Sequence, residues 1–597
     1  MILYEDNPEL QTVWRLVNQT STNIFLTGRA GTGKTTFLKK VKELSRKNIV
    51  VVAPTGVAAI NANGTTIHSM FQLPFAPFLP GRDGLPHGAF RMSSRKRKLL
   101  RNIDLLVIDE ISMVRADTLD LVDMILRFYR HSNLPFGGVQ LLMIGDLHQL
   151  APVVTAEEEE VLRQHYSSYF FFESEALKRS VFTTVILKKV YRQTDADFLQ
   201  LLEGVRKCEI SESQLHLLNQ RYIHNYDIYQ HSNYVRLMTH VNQALEINLH
   251  FLSLLETELH TFECKITGNF PESSYPNEKI LELKEGARVM FVKNDDSREK
   301  CFYNGMLGTL EKIDLASDIL WVRNDQKRLV EVKRATWDYA TYAINPDTNE
   351  VFEKKEGSFE QFPVRLAWAI TIHKSQGLTF DNVIINASKS FTHGQTYVAL
   401  SRCRSLEGII LTRPILPHHL KKSEIVDNFE TDSEQNRPTE QQIMQWESEF
   451  MFKTYDQLFN FEALEFCFRQ LQERCCNTLF ENETLGEPLR QLQSLFSNNP
   501  DGNSNSFHYA TSSYLQYRNE VKEGKCTHSD EQLVQICRQT AKQCIAGLGK
   551  LMTFCHSADW NRQKYEYLAE MEQSAFDLMD DFENLVTEKY CPIQKIV

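Results

Sequence analysis

Gly28-Arg-Ala-Gly-Thr-Gly-Lys34-Thr35 sets three glycines ahead of a lysine and a threonine in the spacing G-x-x-x-x-G-K-[ST]. The run stands between the apolar stretch NIFLT and a helix-compatible segment from Lys34 onward, the strand-loop-helix setting in which such a loop holds phosphate. Gly28, Gly31 and Gly33 let backbone N–H groups turn inward, Lys34 offers a point charge to β and γ phosphates, and the Thr35 hydroxyl can ligate Mg²⁺. Thr32 and Thr36 complete the nucleotide-binding set. Further on, Leu105-Leu-Val-Ile-Asp109-Glu110 ends an apolar run in two carboxylates. Alone, acids at a strand end are often helix caps. Beside the Lys34 loop, Asp109 is expected to hold the metal with Thr35, and Glu110 to polarise an attacking water. Phosphoryl transfer also needs positive charge at the γ-phosphate, for which Arg192 in KKVYRQ and Arg402 in VALSRCR are the candidates. The cofactors these residues call for are ATP and Mg²⁺.

Such groups need a rigid frame. Residues 1–175 alternate wholly apolar short runs, NIFLTG, NIVVVAP, LLVIDE and VQLLMIGD, with helical stretches. This predicts an α/β fold whose parallel sheet is covered on both faces. Residues 71–98, with Pro74, Pro77, Pro80 and Pro86 followed by RMSSRKRKLLR, read as an insertion on that unit. A second α/β unit is expected over 176–250 and 361–415. It is interrupted at 251–360 by short alternating runs, VMFV, GTLEKI, ILWV and LVEV, that suggest a small antiparallel barrel. Residues 416–441 have the composition of a polar linker, and 442–597 carry apolar residues at helical spacing, predicting a separate all-α domain.

The chain has 597 residues, 42% of them apolar, enough for several cores. No apolar run approaches the roughly 20 residues of a membrane helix. Glu5, Asp6 and Glu9 near the start argue against an import signal, so a cytoplasmic location without membrane contact is expected. The twelve cysteines include no CxxC pair. The scatter Cys526, His528, Cys537, Cys544, Cys555 and His556 reads as buried helix-face residues rather than a zinc site. Charge is uneven: residues 421–597 hold 17 Lys+Arg against 29 Asp+Glu, leaving the front of the chain near neutral. A polyanion is therefore expected to lie on the front and be repelled by the tail.

Ordered blocks now accumulate: Gln11 upstream of FLTGRAGTGKT, then APTGVAA, GTTIHS, VIDEISMV, PFGGVQLLMIGDLHQLAPV, VYRQ, AITIHKSQGLTFD and YVALSRCRS. Over residues 7–413 the chain resembles the petite-integration-frequency helicases, relatives of RecD in superfamily 1. The resemblance implies a 5′-to-3′ motor on single-stranded DNA with two RecA-like domains, a wedge on the first and a small barrel inserted in the second. It further implies that Gln11 reads adenine, that Gln149 couples the γ-phosphate to movement, that Arg192 and Arg402 are arginine fingers, and that Gly377 joins the nucleotide set.

Thr55, Gly56, Thr66 and His68 follow strands of the first unit, where hydroxyls and free N–H groups suit phosphate contacts. Thr371, His373, Lys374 and Ser375 are expected to serve the second. Phe71, Phe75 and Phe78 are candidates to wedge a base pair apart, with packing on their own domain as the alternative. The run Arg95–Lys98 reads as a solvated helix face and Glu157–Glu160 as a solvated loop. Expected partners are single-stranded and tailed duplex DNA, with a protein partner for the acidic tail. Two rival readings are a nonenzymatic nucleic-acid scaffold and a translocase that strips proteins from single strands without separating duplexes.

Overall fold

In a computed structural model of the chain, the residues described are 7–74, 76–79, 92–191, 195–231, 234–295, 297, 301–345, 351–386, 394–420, 422–458, 507–522 and 535. The first lobe is built on β1 (Asn23–Gly28), β2 (Ile49–Ala53), β3 (Thr65–Thr66), β4 (Leu105–Ile108), β5 (Gln140–Ile144) and β6 (Phe182–Leu187), in spatial order β3-β2-β4-β5-β1-β6. All neighbours are parallel. Successive side chains point to opposite faces of a strand, and here both faces are buried. Phe25, Leu106, Ile108 and Met143 enter one core, while Ile24, Leu26, Leu105 and Val107 enter the other. That double burial is why the strands read as unbroken apolar runs.

The boundary expected at 175 lies too early. β6 pairs with β1 along its whole length, from Asn23 opposite Phe182 to Gly28 opposite Leu187, so the lobe extends through Leu187. The expectation of a wedge from Phe71 and Phe78 also changes. Both rings are buried in the first lobe's core, and the Phe78 N–H donates to Asp117 Oδ2 at 3.0 Å. Phe75 lies outside the described residues. Residues 157–160 form part of a helix, Ala156–Leu162, and not a loop, because Thr155 and Glu158 cap its start reciprocally. Arg95, Arg97 and Lys98 lie on the exposed face of the helix Ser94–Asn102, which leads into β4.

The second lobe carries a parallel sheet in the order Ala369–Thr371, Val235–Met238, Val383–Ile385, Ile409–Leu411. Between its strands run antiparallel ones. Five of them, ordered 329–332, 319–324, 307–314, 288–291 and 364–366, make one sheet, so the inserted region reaches Leu366 and not 360. Its long hairpin, Ala335–Ile344 with Val351–Gln361, reaches across to the first lobe. There Tyr342 is buried in the first core and its hydroxyl accepts the Val51 N–H at 3.0 Å, while Tyr339 OH and Ser69 Oγ are 3.0 Å apart.

After the second lobe the chain comes back. Residues 424–435, expected to be linker, form a helix, here called the return helix, that packs on the first lobe. Val426 is fully buried, and the Phe429 ring stacks on Phe172 at 4.2 Å and 9°. Residues three apart share a helix face, so two apolar side chains suffice for docking within a polar segment. The next helix, Glu440–Leu458, packs against the N-terminal helix Pro8–Gln19. Ile443 enters the Leu10 core, and Arg15 pairs with Glu447 at 3.0 Å. The C-terminal region is thus not separate from the first lobe where it is described. One further helix, Phe507–Lys522, donates from Tyr514 OH to Asp456 at 2.5 Å. The cysteine and histidine scatter after 526 lies outside the described residues. Among the described residues no helix is long and apolar enough to cross a membrane.

Candidate active site

The carboxyl ends of β1, β4 and β5 lie side by side, and a parallel α/β sheet opens its crevice at that edge. From β1 comes the loop Gly28–Gly33, with φ of 151°, 81° and 92° at Gly28, Gly31 and Gly33. These are left-handed values that L side chains rarely adopt. Lys34 opens the following helix and turns back, donating to Gly28 O at 2.6 Å and Arg29 O at 3.1 Å. Both acceptors are uncharged carbonyls, and burial lowers the lysine's pKa despite Asp146 and Glu110 nearby. A buried ammonium so placed suits an incoming anion. Thr35 and Thr36 are exposed at the helix start, whereas Thr32 is buried with its hydroxyl donating to Arg29 O at 2.9 Å.

β4 delivers Asp109 and Glu110. Glu110 adopts φ +52°, a left-handed conformation for a non-glycine residue that turns the chain sharply after the strand. Burial raises both carboxyl pKa values, and the neighbouring Asp109 charge raises that of Glu110 further. Two desolvated carboxyls beside a desolvated ammonium form a site that a metal-bound polyphosphate would satisfy, with Lys34 facing phosphate and Asp109 and Thr35 on the metal.

β5 delivers the loop Asp146–Gln149. Asp146 accepts from Gln149 Nε2 at 3.1 Å through Oδ2 and from the His148 N–H at 3.2 Å through Oδ1. Here the second lobe arrives. Gln376 Nε2 donates to Glu110 Oε2 at 2.9 Å and lies 3.5 Å from Gln149 Oε1. Tyr397 OH accepts the Ala30 N–H of the phosphate loop at 3.3 Å. Gly394 abuts the His148–Gln149 backbone so closely that a Cβ there would stand 2.0 Å from Gln149 O. Gln376, Tyr397 and Gly394 were missed by sequence reasoning, although the first two lie within the blocks AITIHKSQGLTFD and YVALSRCRS and Gly394 just before the second.

Arg402 is fully buried in the second lobe, its Nε donating to Val398 O at 2.9 Å and its Nη2 to Ser401 Oγ at 2.9 Å, and its charge bears on Glu110. Arg192 lies outside the described residues. Gln11 sits on the N-terminal helix, whose cap residue Asn7 donates to Tyr191 OH at 3.2 Å. The Tyr191 ring faces Gly33. Gly377 has φ +79°, and nothing would crowd a Cβ there, so its conformation and not a close approach calls for glycine.

The expected phosphate contacts of the first lobe lie on the same edge, after β2 and β3. Thr55 and Thr66 cap the helices Gly56–Asn61 and Ile67–Phe71, accepting from Ala58 N and Ser69 N at 3.2 Å each. A capping hydroxyl still has its proton to donate. His68 is half-buried, and burial lowers its pKa. In the second lobe Thr371 Oγ1 accepts the Lys374 N–H at 3.2 Å, Lys374 is exposed and His373 half-buried. Ser375 is different. It is fully buried and its hydroxyl donates to Ile372 O at 2.7 Å, so in this arrangement it braces the turn and does not face outward.

Two parallel α/β lobes joined across a phosphate loop, a carboxylate pair and a glutamine-bearing loop define a two-lobed α/β P-loop protein. A family model described as PIF1-like helicase matches residues 7–215, and one described as UvrD-like helicase C-terminal domain matches residues 366–406. Human ATP-dependent DNA helicase PIF1 is 35% identical over 397 residues, covering 65% of this chain but 58% of the human one. ATP-dependent DNA helicase Pif1 of Bdellovibrio bacteriovorus is 32% identical, covering 65% of this chain and 84% of its own length. Among solved structures, Bacteroides sp. Pif1 in complex with ADP-AlF4 superposes with a TM-score of 0.67 at 42% identity, covering 73% of this chain and 98% of that one. Bacteroides Pif1 bound to ssDNA gives a TM-score of 0.53 at 43% identity with the same coverage. The chain belongs to the PIF1-like helicase family.

Proposed function

We propose that the chain is an ATP-dependent 5′-to-3′ DNA helicase that translocates on single-stranded DNA and unwinds duplexes carrying a single-stranded tail. The observation that carries this is the reach of Gln376 from the second lobe to Glu110 and Gln149 in the first. The carboxylate placed to handle a water at the γ-phosphate is thereby tied to the other lobe, so a change at one is felt as a change in lobe spacing.

Lys34, Thr35 and Asp109 would hold ATP with its magnesium ion, which together supply an electrophilic phosphorus. Glu110 orients and deprotonates the attacking water, and Lys34 and Arg402 face the charge that accumulates. Arg192 is proposed as a second such cation, and Gln11, with Asn7 and Tyr191, as the wall that reads the base. Thr55, Gly56, Thr66 and His68 grip the strand on one lobe and Thr371, His373 and Lys374 on the other, so alternate gripping moves the chain along it. The polarity follows the resemblance of the sequence blocks. The DNA substrates accord with the structures of relatives bound to ssDNA and at forked dsDNA.

The test is ATP- and Mg²⁺-dependent unwinding of duplexes with a 5′ or a 3′ tail, with Lys34→Ala as control. Unwinding from the 5′ tail alone, lost at least about a hundredfold in the variant, is expected. DNA-stimulated ATPase without unwinding on either tail would instead identify a translocase, and activity from the 3′ tail alone would reverse the assignment.

A further inference from the structure

We infer that Glu430 on the return helix is a positioning residue for ATP hydrolysis, acting through Arg206 and His148 to set the side chain of Gln149. The inference rests on the ATPase reading above and extends the catalytic apparatus to a helix that follows both α/β lobes and that its polar composition had marked as linker.

The carboxylate of Glu430 is bidentate between lobes. Oε1 accepts from Arg206 Nη2 of the second lobe at 2.8 Å, and Oε2 lies 2.8 Å from His148 Nε2 of the first. Arg206 Nη2 is shared, since the same nitrogen stands 3.3 Å from Asp146 Oδ1. Asp146 in turn holds the Gln149 carboxamide through Oδ2 and the His148 N–H through Oδ1. Side-chain exposure is 0% for Asp146, 2% for His148, 8% for Arg206 and 20% for Glu430. Charges this dry are costly without partners, so each constrains the next. Burial opposes ionisation of both acids, yet Arg206 and Lys34 keep Asp146, and His148 with Arg206 keep Glu430, below their usual range.

Glu430 thus divides Arg206 Nη2 between two carboxylates. Without that pull, Arg206 Nη2 is left to Asp146 and crowds the His148 N–H at Oδ1, while Nη1 keeps its Glu203 neighbour at 3.7 Å and the His148 ring loses its Glu430 contact. Gln149 then no longer presents a fixed carboxamide toward Gln376 and Glu110. Among the described contacts no hydrogen bond joins Glu430 directly to residues 28–36; its path to the phosphate loop runs through the looser Arg206–Glu203 pair at 3.7 Å to Arg29, so nucleotide affinity should change less than turnover. A cavity of about 570 Å³, bordered by Glu430, Arg29 and Gly28, also lies on that side and leaves room for substitution.

The experiment compares full-length Glu430→Gln and Glu430→Ala with the parent in DNA-stimulated ATPase, with fluorescent-ADP affinity and melting temperature measured in parallel. Glu434→Ala, one turn on, controls for helix charge. For Glu430→Gln we expect kcat to fall about tenfold with ADP affinity within about twofold and melting nearly unchanged. Arg206→Ala combined with Glu430→Gln should lose clearly less than the sum of the two single variants, since Arg206 carries one of the two routes by which Glu430 acts. A kcat for Glu430→Gln within twofold of the parent, or losses that add in the double variant, would overturn the inference while leaving the ATPase reading standing. A parent chain that hydrolyses no ATP would remove both.

Discussion

At the scale of single residues, Glu110 concentrates the chemistry and the strain: its carboxyl is desolvated, its neighbour Asp109 is charged, and its φ is +52°. A carboxyl whose folded pKa is raised contributes stability below its unfolded value and loses it as pH climbs through the raised one. Glu110→Gln removes one such group. Nucleotide-free Glu110→Gln should therefore lose less melting temperature than the parent between about pH 5 and about pH 8, while it binds ATP and fails to hydrolyse it. Parallel melting curves for the two proteins would contradict this. Lys34 and Thr35 could be read from the sequence because strand, loop and helix lie within one short stretch, and Asp109 because it ends an apolar strand. Gln376, Tyr397 and Gly394 could not be assigned that way, since each gains its role only where the second lobe meets the first.

Among the elements, the segment around Phe78 is the instructive case. Its prolines suggested a projecting insertion with aromatic tips, yet Phe71 and Phe78 turn inward and Asp117 ties the Phe78 backbone to the lobe. Truncating a buried Phe costs about 3–5 kcal/mol. Phe78→Ala should accordingly lower the melting temperature and reduce ATPase and unwinding together, as followed by thermal melting and both assays. Normal melting with unwinding alone lost would restore strand separation as its task. The return helix teaches the converse. Average composition hid it, because Val426 and Phe429 are few, but their spacing was the signal. The central strands of the first sheet, β1, β2, β4 and β5, were legible for the opposite reason: burial on both faces leaves few polar residues to dilute the pattern.

On the scale of the whole molecule, the chain superposes more closely on Bacteroides Pif1 without DNA, whether with ADP-AlF4 or unliganded, than on its ssDNA complex. Identity and coverage hardly differ between the ADP-AlF4 and ssDNA complexes of Bacteroides Pif1, but the TM-score drops from 0.67 to 0.53. The hairpin with Tyr339 and Tyr342 rests against the first lobe in this arrangement, touching Ser69 beside the proposed grip at Thr66 and His68. None of this spacing between lobes was legible in the sequence, whose local patterns report elements and not their placement. The path of the backbone has a further result. The polymer leaves the first lobe after Leu187 and re-enters it at Val426, so the second lobe is spliced into the first at two joints. Cutting the chain once, at a protease site engineered after Leu416, should leave the halves co-migrating in gel filtration, and their separation would show the second joint to be weak. A door hung at one point swings every way, while one hung at two swings about the line between them. If the lobes part as proposed, the line between those two joints is the axis that the chain's own route offers.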